Sequence, residues 1–235
     1  MHWRASMPIF DPLYLALMVP GVLLSIAAQW YVSSTFRRFA AVPLSTGLAG
    51  RDVAAAVLRG AGIVDVAIEE TSGFLGDHYD PSRKILRLSP DVYRGDSVAS
   101  AGVAAHEAGH AVQHAQRYGL MPVRQALVLP ARIGSQLAFG AFLVGLWFHI
   151  FGLAWLGVVL FTAIVLFELV TLPIELDASA RGRALLLANG LATPRDLDGV
   201  SRVLRAAALT YLAALLASLL QLLYLVSTIR RQRRD

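Results

Sequence analysis

The sequence predicts a mainly α-helical membrane protein with about four transmembrane helices and a small α+β region on one face of the membrane. Three observations support this fold class. Hydrophobic residues make up 56% of the chain, charged residues only 16%, and the mean hydropathy is +0.57, values typical of a membrane protein. Several uncharged stretches are long enough to cross a bilayer. Between the first and second of these, short segments alternate polar and apolar residues as strands do.

The uncharged stretches predict four spans. The N-terminal stretch is longer than the apolar core of a signal peptide, which favours an uncleaved membrane anchor over a cleaved signal. Residues 133–167 lack Asp, Glu, Lys and Arg and are too many for one span. We expect a tight turn at His149–Gly152 to divide them into two. The predicted spans are Leu13–Val32, Ile133–Phe148, Leu153–Leu172 and Ala206–Ile229.

Residues 40–130 are predicted to form the α+β region. Asp52–Arg59 has the pattern of a short helix that is closed by Gly60. Val64–Ile68 and Lys84–Leu88 alternate as strands do, and Gly76–Pro81 between them is rich in turn formers. The predicted organisation is an N-terminal anchor (1–39), this region (40–130), a transmembrane hairpin (131–174), a helix with a connector (175–205), and a last transmembrane helix with a basic tail (206–235).

One motif in this region contains candidate metal-binding and catalytic residues. Ser97–Arg117 has the small and apolar residues of a helix, with Asp96 or Ser97 as its N-cap, and contains His106-Glu107-Ala108-Gly109-His110. On a helix the two histidines project from one face about 6 Å apart, so both imidazoles can bind one Zn²⁺. Glu107 is placed beside them to accept a proton from water. The alternative, a polar helix with two unrelated histidines, is disfavoured by this context.

A catalytic zinc site normally has three protein ligands, and the chain has no cysteine to supply the third. His114 would lie about 12 Å from His106 along the helix, too far to bind the same ion. Position 116, where a longer zinc motif has its third histidine, is Gln. We therefore predict Glu175 as the third ligand. Two further spans return the chain to the side of the membrane on which the motif lies, and Glu175 follows directly after them.

Two other carboxylates compete with Glu175. Glu168 lies inside the third predicted span, where a carboxyl group is costly and often functional. On a helix Asp177 points away from Glu175. We therefore expect it to be a solvated charge or to contact a metal ligand, rather than to bind the metal itself. The reaction also needs a donor for the oxyanion. His78 is the predicted catalytic donor and Tyr79 its alternative, although Asp77–Pro81 could equally be only a turn.

Three segments resemble the YugP-like family of membrane zinc metallopeptidases, namely Asp77–Pro81, His106–His110 and Leu172–Ser179. The resemblance covers nearly the whole chain, including the order of the spans. More distantly, the chain is similar to the HtpX and CAAX prenyl protease group of membrane gluzincins. In that group the zinc-binding Glu stands in a Glu-x-x-Ala-Asp pattern. Glu175 and Ala178 match it, whereas Ser179 stands where the Asp would be.

The resemblance implies an integral membrane zinc metalloendopeptidase of the gluzincin type, with a zincin-like catalytic region. It would hydrolyse peptide bonds of protein or peptide substrates at the membrane surface, with Glu107 as the general base. Two other classes remain open. A catalytically inactive membrane scaffold or metal-binding protein would have the same spans, but Glu107 would have no function in it. In a transporter Glu168 would be the central functional residue, but a single acidic residue inside the membrane is weak evidence for transport.

The net charge of +5 comes mostly from arginines beside apolar segments. No basic face is interleaved with aromatic residues, which argues against nucleic acid and favours the lipid bilayer as the partner. Eight arginines lie near the membrane on the predicted catalytic side and five on the other, so we expect a cytoplasmic catalytic face in a bacterial inner (plasma) membrane. The eight are Arg37, Arg38, Arg124, Arg132, Arg181, Arg183, Arg202 and Arg205, and the five are Arg4, Arg230, Arg231, Arg233 and Arg234.

Overall fold

The computed structural model describes residues 12–72 and 76–232. Arg4, Arg233 and Arg234, which enter the orientation argument, lie outside these ranges. Within them the chain forms helices and three short strands. In chain order these are α1 (Pro12–Ala40), α2 (Gly50–Gly60), β1 (Ala67–Glu70), β2 (His78–Asp80), β3 (Ile85–Leu88), α3 (Pro90–Tyr93), α4 (Val98–Ala115), α5 (Leu120–Trp147), α6 (Phe151–Ala188) and α7 (Pro194–Gln232).

Four of the described helices, α1, α5, α6 and α7, are long and apolar enough to cross a membrane. They contain the four predicted spans, apart from Phe148 at the end of the second, and the prediction of a mainly α-helical membrane protein is confirmed. The helices are longer than the spans, however. Helix α6 continues through Pro173 to Ala188, and α7 begins at Pro194 rather than near residue 206.

The chain divides into two compact units. The first contains the described residues 12–29, 122–172 and 210–232. Its core includes Phe142, Val158 and Leu225. Helices α5 and α6 pack closely within it, since a Cβ atom on Gly134 would lie 2.3 Å from the Leu160 carbonyl oxygen. Between them His149 has a φ angle of +58°, so the chain reverses in the tight turn that the sequence predicted.

The second unit contains residues 30–121 and 173–209, of which 73–75 are not described. Its sheet has the strand order β1-β3-β2, with β1 parallel and β2 antiparallel to β3. Two sequence predictions need correction here. Gly76–Pro81 was predicted as a turn but contains β2, because Tyr79 pairs with Leu86 of β3. The strand predicted at Val64–Ile68 forms three residues later, where it pairs with β3.

Helix α4 runs through the core of this second unit. Ser97 is its N-cap, as predicted, and accepts a hydrogen bond from the Ser100 backbone amide. Small residues such as Ala104 and Ala108 are fully buried along the helix. They let neighbouring elements approach closely, and Leu86 and Leu88 of β3 belong to the same core. The helix that carries the histidine motif is therefore held on several sides by packing.

Candidate metal centre

Three side chains in the second unit converge on one point. Ligand atoms of His106, His110 and Glu175 all lie within 4.8 Å of one another. The Oε2 atom of Glu175 is 3.2 Å from Nε2 of His106 and 3.4 Å from Nε2 of His110. Ligands bound tetrahedrally to zinc at about 2.0–2.2 Å are separated by about 3.3–3.5 Å. Two imidazoles and a carboxylate at this spacing fit a zinc ion.

Helical spacing places the two histidines side by side. His106 and His110 lie one turn apart on α4, and their ring centroids are 4.8 Å apart in an edge-to-face arrangement. Glu175 comes from α6 and is only 4% exposed. A buried carboxylate is costly unless a cation or hydrogen-bond donors compensate its charge. A metal ion held by the same three groups would provide that compensation.

Close packing of α4 against the part of α6 in this unit brings the ligands together. A Cβ atom on Gly109 would lie 2.3 Å from the carbonyl oxygen of Ala178. A Cβ atom on Gly182 would lie 2.3 Å from the carbonyl oxygen of Ala105. Both distances are too short for a side chain, so each helix needs glycine where the other crosses it. The glycine inside the histidine motif thus has a packing role.

Each histidine has a polar partner on the ring nitrogen that faces away from Glu175. Nδ1 of His106 lies 3.0 Å from Oγ of Ser179, and Nδ1 of His110 lies 2.9 Å from Oε1 of Gln113. An imidazole that donates from Nδ1 keeps the Nε2 lone pair for a metal. With Nδ1 of each ring in these contacts, both Nε2 atoms lie on the side of Glu175.

The charges around His110 favour its protonated form when no metal is bound. Burial lowers the pKa of His110, but the hydrogen bond to Glu175 and the negative charges of Glu107 and Glu175 outweigh it, so the pKa is raised. A metal that binds here must displace that proton. Glu107 is itself buried, with 8% exposure, next to His106 on α4. Its negative charge is one of the causes that raise the pKa of His110.

The other carboxylates named from the sequence lie outside this cluster. Glu168 belongs to the first unit. Asp177 accepts hydrogen bonds from Gln113 and Arg181, as expected for a group that supports a ligand. Neither contributes an atom to the group formed by the two histidines and Glu175.

The proposed oxyanion donors have other contacts. His78 is exposed on β2, with Nδ1 2.7 Å from the Gly76 carbonyl oxygen and Nε2 3.3 Å from Nη1 of Arg87. The hydroxyl of Tyr79 lies 2.9 Å from Nδ1 of His114. The catalytic role of His78 therefore stays a prediction, since these contacts do not connect it with the cluster.

Sequence reasoning did not identify Gln113, which is fully buried and touches both His110 and α6. Its position offered a signal, because it is the residue three places after His110 on the same helix and is polar within an apolar stretch. Ser179 was noted only as a departure from the Asp of distant relatives. The structure places its hydroxyl against His106.

Comparison with known proteins identifies the family of the chain. Residues 14–230 match the model of the family described as "Putative neutral zinc metallopeptidase". The chain is 40% identical over 214 residues to "Putative membrane protease YugP" of Bacillus subtilis (strain 168), covering 91% of this chain and 95% of the relative. No solved structure matches the chain. The family match spans nearly the full sequence and contains all three converging residues. The chain therefore belongs to this family of zinc metallopeptidases.

Proposed function

We propose that this membrane protein is a metalloendopeptidase of the gluzincin type, in which His106, His110 and Glu175 hold the zinc ion. The observation that carries the proposal is the convergence of two Nε2 atoms and one carboxylate oxygen within 4.8 Å. It is supported by Glu107, a buried carboxylate directly after His106 on the same helix. The family name supports zinc and peptidase chemistry but leaves these roles to be tested.

Zinc supplies a Lewis acid that activates water and polarises the scissile carbonyl group. The residues of the chain supply the rest. Glu107 accepts a proton from the attacking water and passes it to the leaving amine. Its burial excludes much of the solvent that would otherwise exchange with that proton. Ser179 and Gln113 orient the two imidazoles through Nδ1.

The substrates are proteins or peptides at the membrane surface. This part of the proposal rests on the four apolar helices and on the family. We further propose the bacterial inner membrane, with the catalytic residues on the cytoplasmic face, from the arginine distribution in the sequence. We also propose the five-part domain organisation and the oxyanion role of His78, each from the sequence features described above.

The proposal is tested by peptide cleavage with the full chain purified in detergent. A mixture of unstructured peptides is incubated with the protein as purified, after treatment with a chelator, and after zinc is added back. Cleavage should stop with the chelator and return with zinc. The His110→Ala variant serves as the control for contaminating proteases, since zinc should restore nothing to it. A membrane scaffold would show no cleavage in any sample, and chelator-resistant cleavage would also contradict the proposal.

A further inference from the structure

Gln113 is a fully buried polar side chain that touches both helices of the metal centre. Its Oε1 atom lies 2.9 Å from Nδ1 of His110 on α4. Its Nε2 atom donates to the Ile174 carbonyl oxygen at 2.8 Å and to Oδ2 of Asp177 at 2.7 Å, both on α6. A buried amide with partners at both its oxygen and its nitrogen is held in one orientation.

The partners on α6 fix which end of the amide faces His110. A carbonyl oxygen and a carboxylate only accept hydrogen bonds, so the NH₂ group of Gln113 must face them. The carbonyl oxygen of Gln113 must then face Nδ1 of His110. Because that oxygen cannot donate, the ring must donate from Nδ1. The lone pair of Nε2 is thereby left on the side of Glu175.

His106 lacks this constraint. Its Nδ1 partner is the hydroxyl of Ser179, which can either donate or accept a hydrogen bond. Gln113 is in turn held by Asp177, and the guanidinium group of Arg181 donates to both Asp177 and Gln116. The orientation of His110 therefore depends on a chain of contacts that begins on α6.

We propose that Gln113 is a positioning residue of the metal centre, which holds His110 with Nδ1 protonated and Nε2 free to bind zinc. Asp177 and the Ile174 carbonyl oxygen set the orientation of Gln113. This inference rests on the metal centre proposed above. Contacts of this kind change metal affinity by about 10–100-fold when they are removed.

The test measures zinc affinity by competition with a chelator, on the full chain in detergent. Gln113→Met keeps the approximate volume but removes the acceptor, and should weaken zinc binding by about 10–100-fold. It should also change the absorption spectrum of the Co²⁺-substituted protein, because His110 would no longer be held in one orientation. Gln125→Met is the matched control. It is the same substitution at an exposed position of α5 in the first unit, and should leave the affinity within about twofold of the parent value.

A second variant separates positioning from packing. Asp177→Ala leaves Gln113 in the core but removes one of the two acceptors that hold its NH₂ group. Because the Ile174 carbonyl oxygen still accepts from that group, zinc binding should weaken by up to about tenfold, less than in Gln113→Met. The cobalt spectrum should change in the same direction in both variants. Asp177→Ala also keeps the inference testable if Gln113→Met fails to fold.

Two results would overturn the inference. One is parent-like zinc affinity in Gln113→Met when His110→Ala has lost the metal. The other is parent-like zinc affinity together with an unchanged cobalt spectrum in Asp177→Ala. A purely structural Gln113 would lower the unfolding temperature of the metal-free protein but leave the cobalt spectrum of the folded fraction unchanged. Absence of zinc binding in the parent protein would instead contradict the metal centre itself.

Discussion

The Oε2 atom of Glu175 lies 3.2 Å from Nε2 of His106, although 69 residues separate them along the chain. The same oxygen lies 3.4 Å from Nε2 of His110. This shared contact joins α4, which carries the histidine motif, to the part of α6 that lies in the second unit. Each of the three candidate ligands thus comes from a regular helix rather than from a loop, which gives the site a rigid frame.

The first prediction is that each chain binds one zinc ion. Elemental analysis of the detergent-purified protein should show close to one zinc per chain, because the three ligands form a single cluster. His110→Ala should lose the metal, since two remaining ligands hold zinc poorly. A variant that kept full zinc occupancy would show that His110 is not a ligand.

The second prediction concerns the third ligand. Glu175→Ala should abolish tight zinc binding, because its carboxylate contacts both histidines. Glu168→Ala is the matched control, being the same substitution two turns earlier on the same helix. It should keep most of the zinc, as Glu168 belongs to the other unit. The opposite pattern of metal contents would place the site in the first unit, with Glu168.

The third prediction tests the helix crossing. Gly109→Ala should destabilise the protein by about 1–3 kcal/mol, because its Cβ atom would overlap the Ala178 carbonyl oxygen. It should also weaken zinc binding by moving α4 away from Glu175. Gly102→Ala on the same helix is the control, since its Cβ atom would lie 3.5 Å from Val200, an ordinary contact. The two unfolding temperatures are compared in detergent, and equal values would refute the packing role of Gly109.

The fourth prediction is a pH dependence of zinc affinity. Zinc binds unprotonated imidazole, and the raised pKa of His110 means that protons compete at a higher pH than for an ordinary histidine. Below that pKa the affinity should fall by about tenfold per pH unit for each proton displaced. Above it the affinity should be constant. Chelator competition at a series of pH values measures the curve, and a flat profile down to about pH 6 would contradict the shift.

Much of this fold follows from sequence pattern. Uncharged stretches predicted the four long helices, and Ser97 with the small residues after it predicted α4. These features depend on local periodicity and composition, which a single sequence displays. Strand β2 was missed because three residues among turn formers become a strand only by pairing with β3. The continuation of α6 through Pro173 was missed because proline usually ends or kinks a helix.

The candidate site also has parts that the sequence predicts and parts that it does not. The histidine pair is set by helical spacing within one element, and Glu175 followed from counting spans. The roles of Gly109 and Gln113 could not be read from the sequence, because both depend on where α6 crosses α4. Ala178 and Ile174 are their partners there, and each is more than sixty residues away in the chain. Contacts between distant segments set these roles, and neither composition nor periodicity encodes them.

The central claim is that Glu107 is the base of a zinc peptidase, and Glu107→Gln tests it most directly. Gln has nearly the same shape as Glu but cannot accept a proton. Parent and variant are compared for peptide cleavage after both are shown to be folded and to hold equal zinc. The variant should keep its zinc and lose cleavage by about 10²–10⁴-fold, the usual contribution of a general base. Cleavage close to the parent rate in the zinc-loaded variant would contradict the role of Glu107.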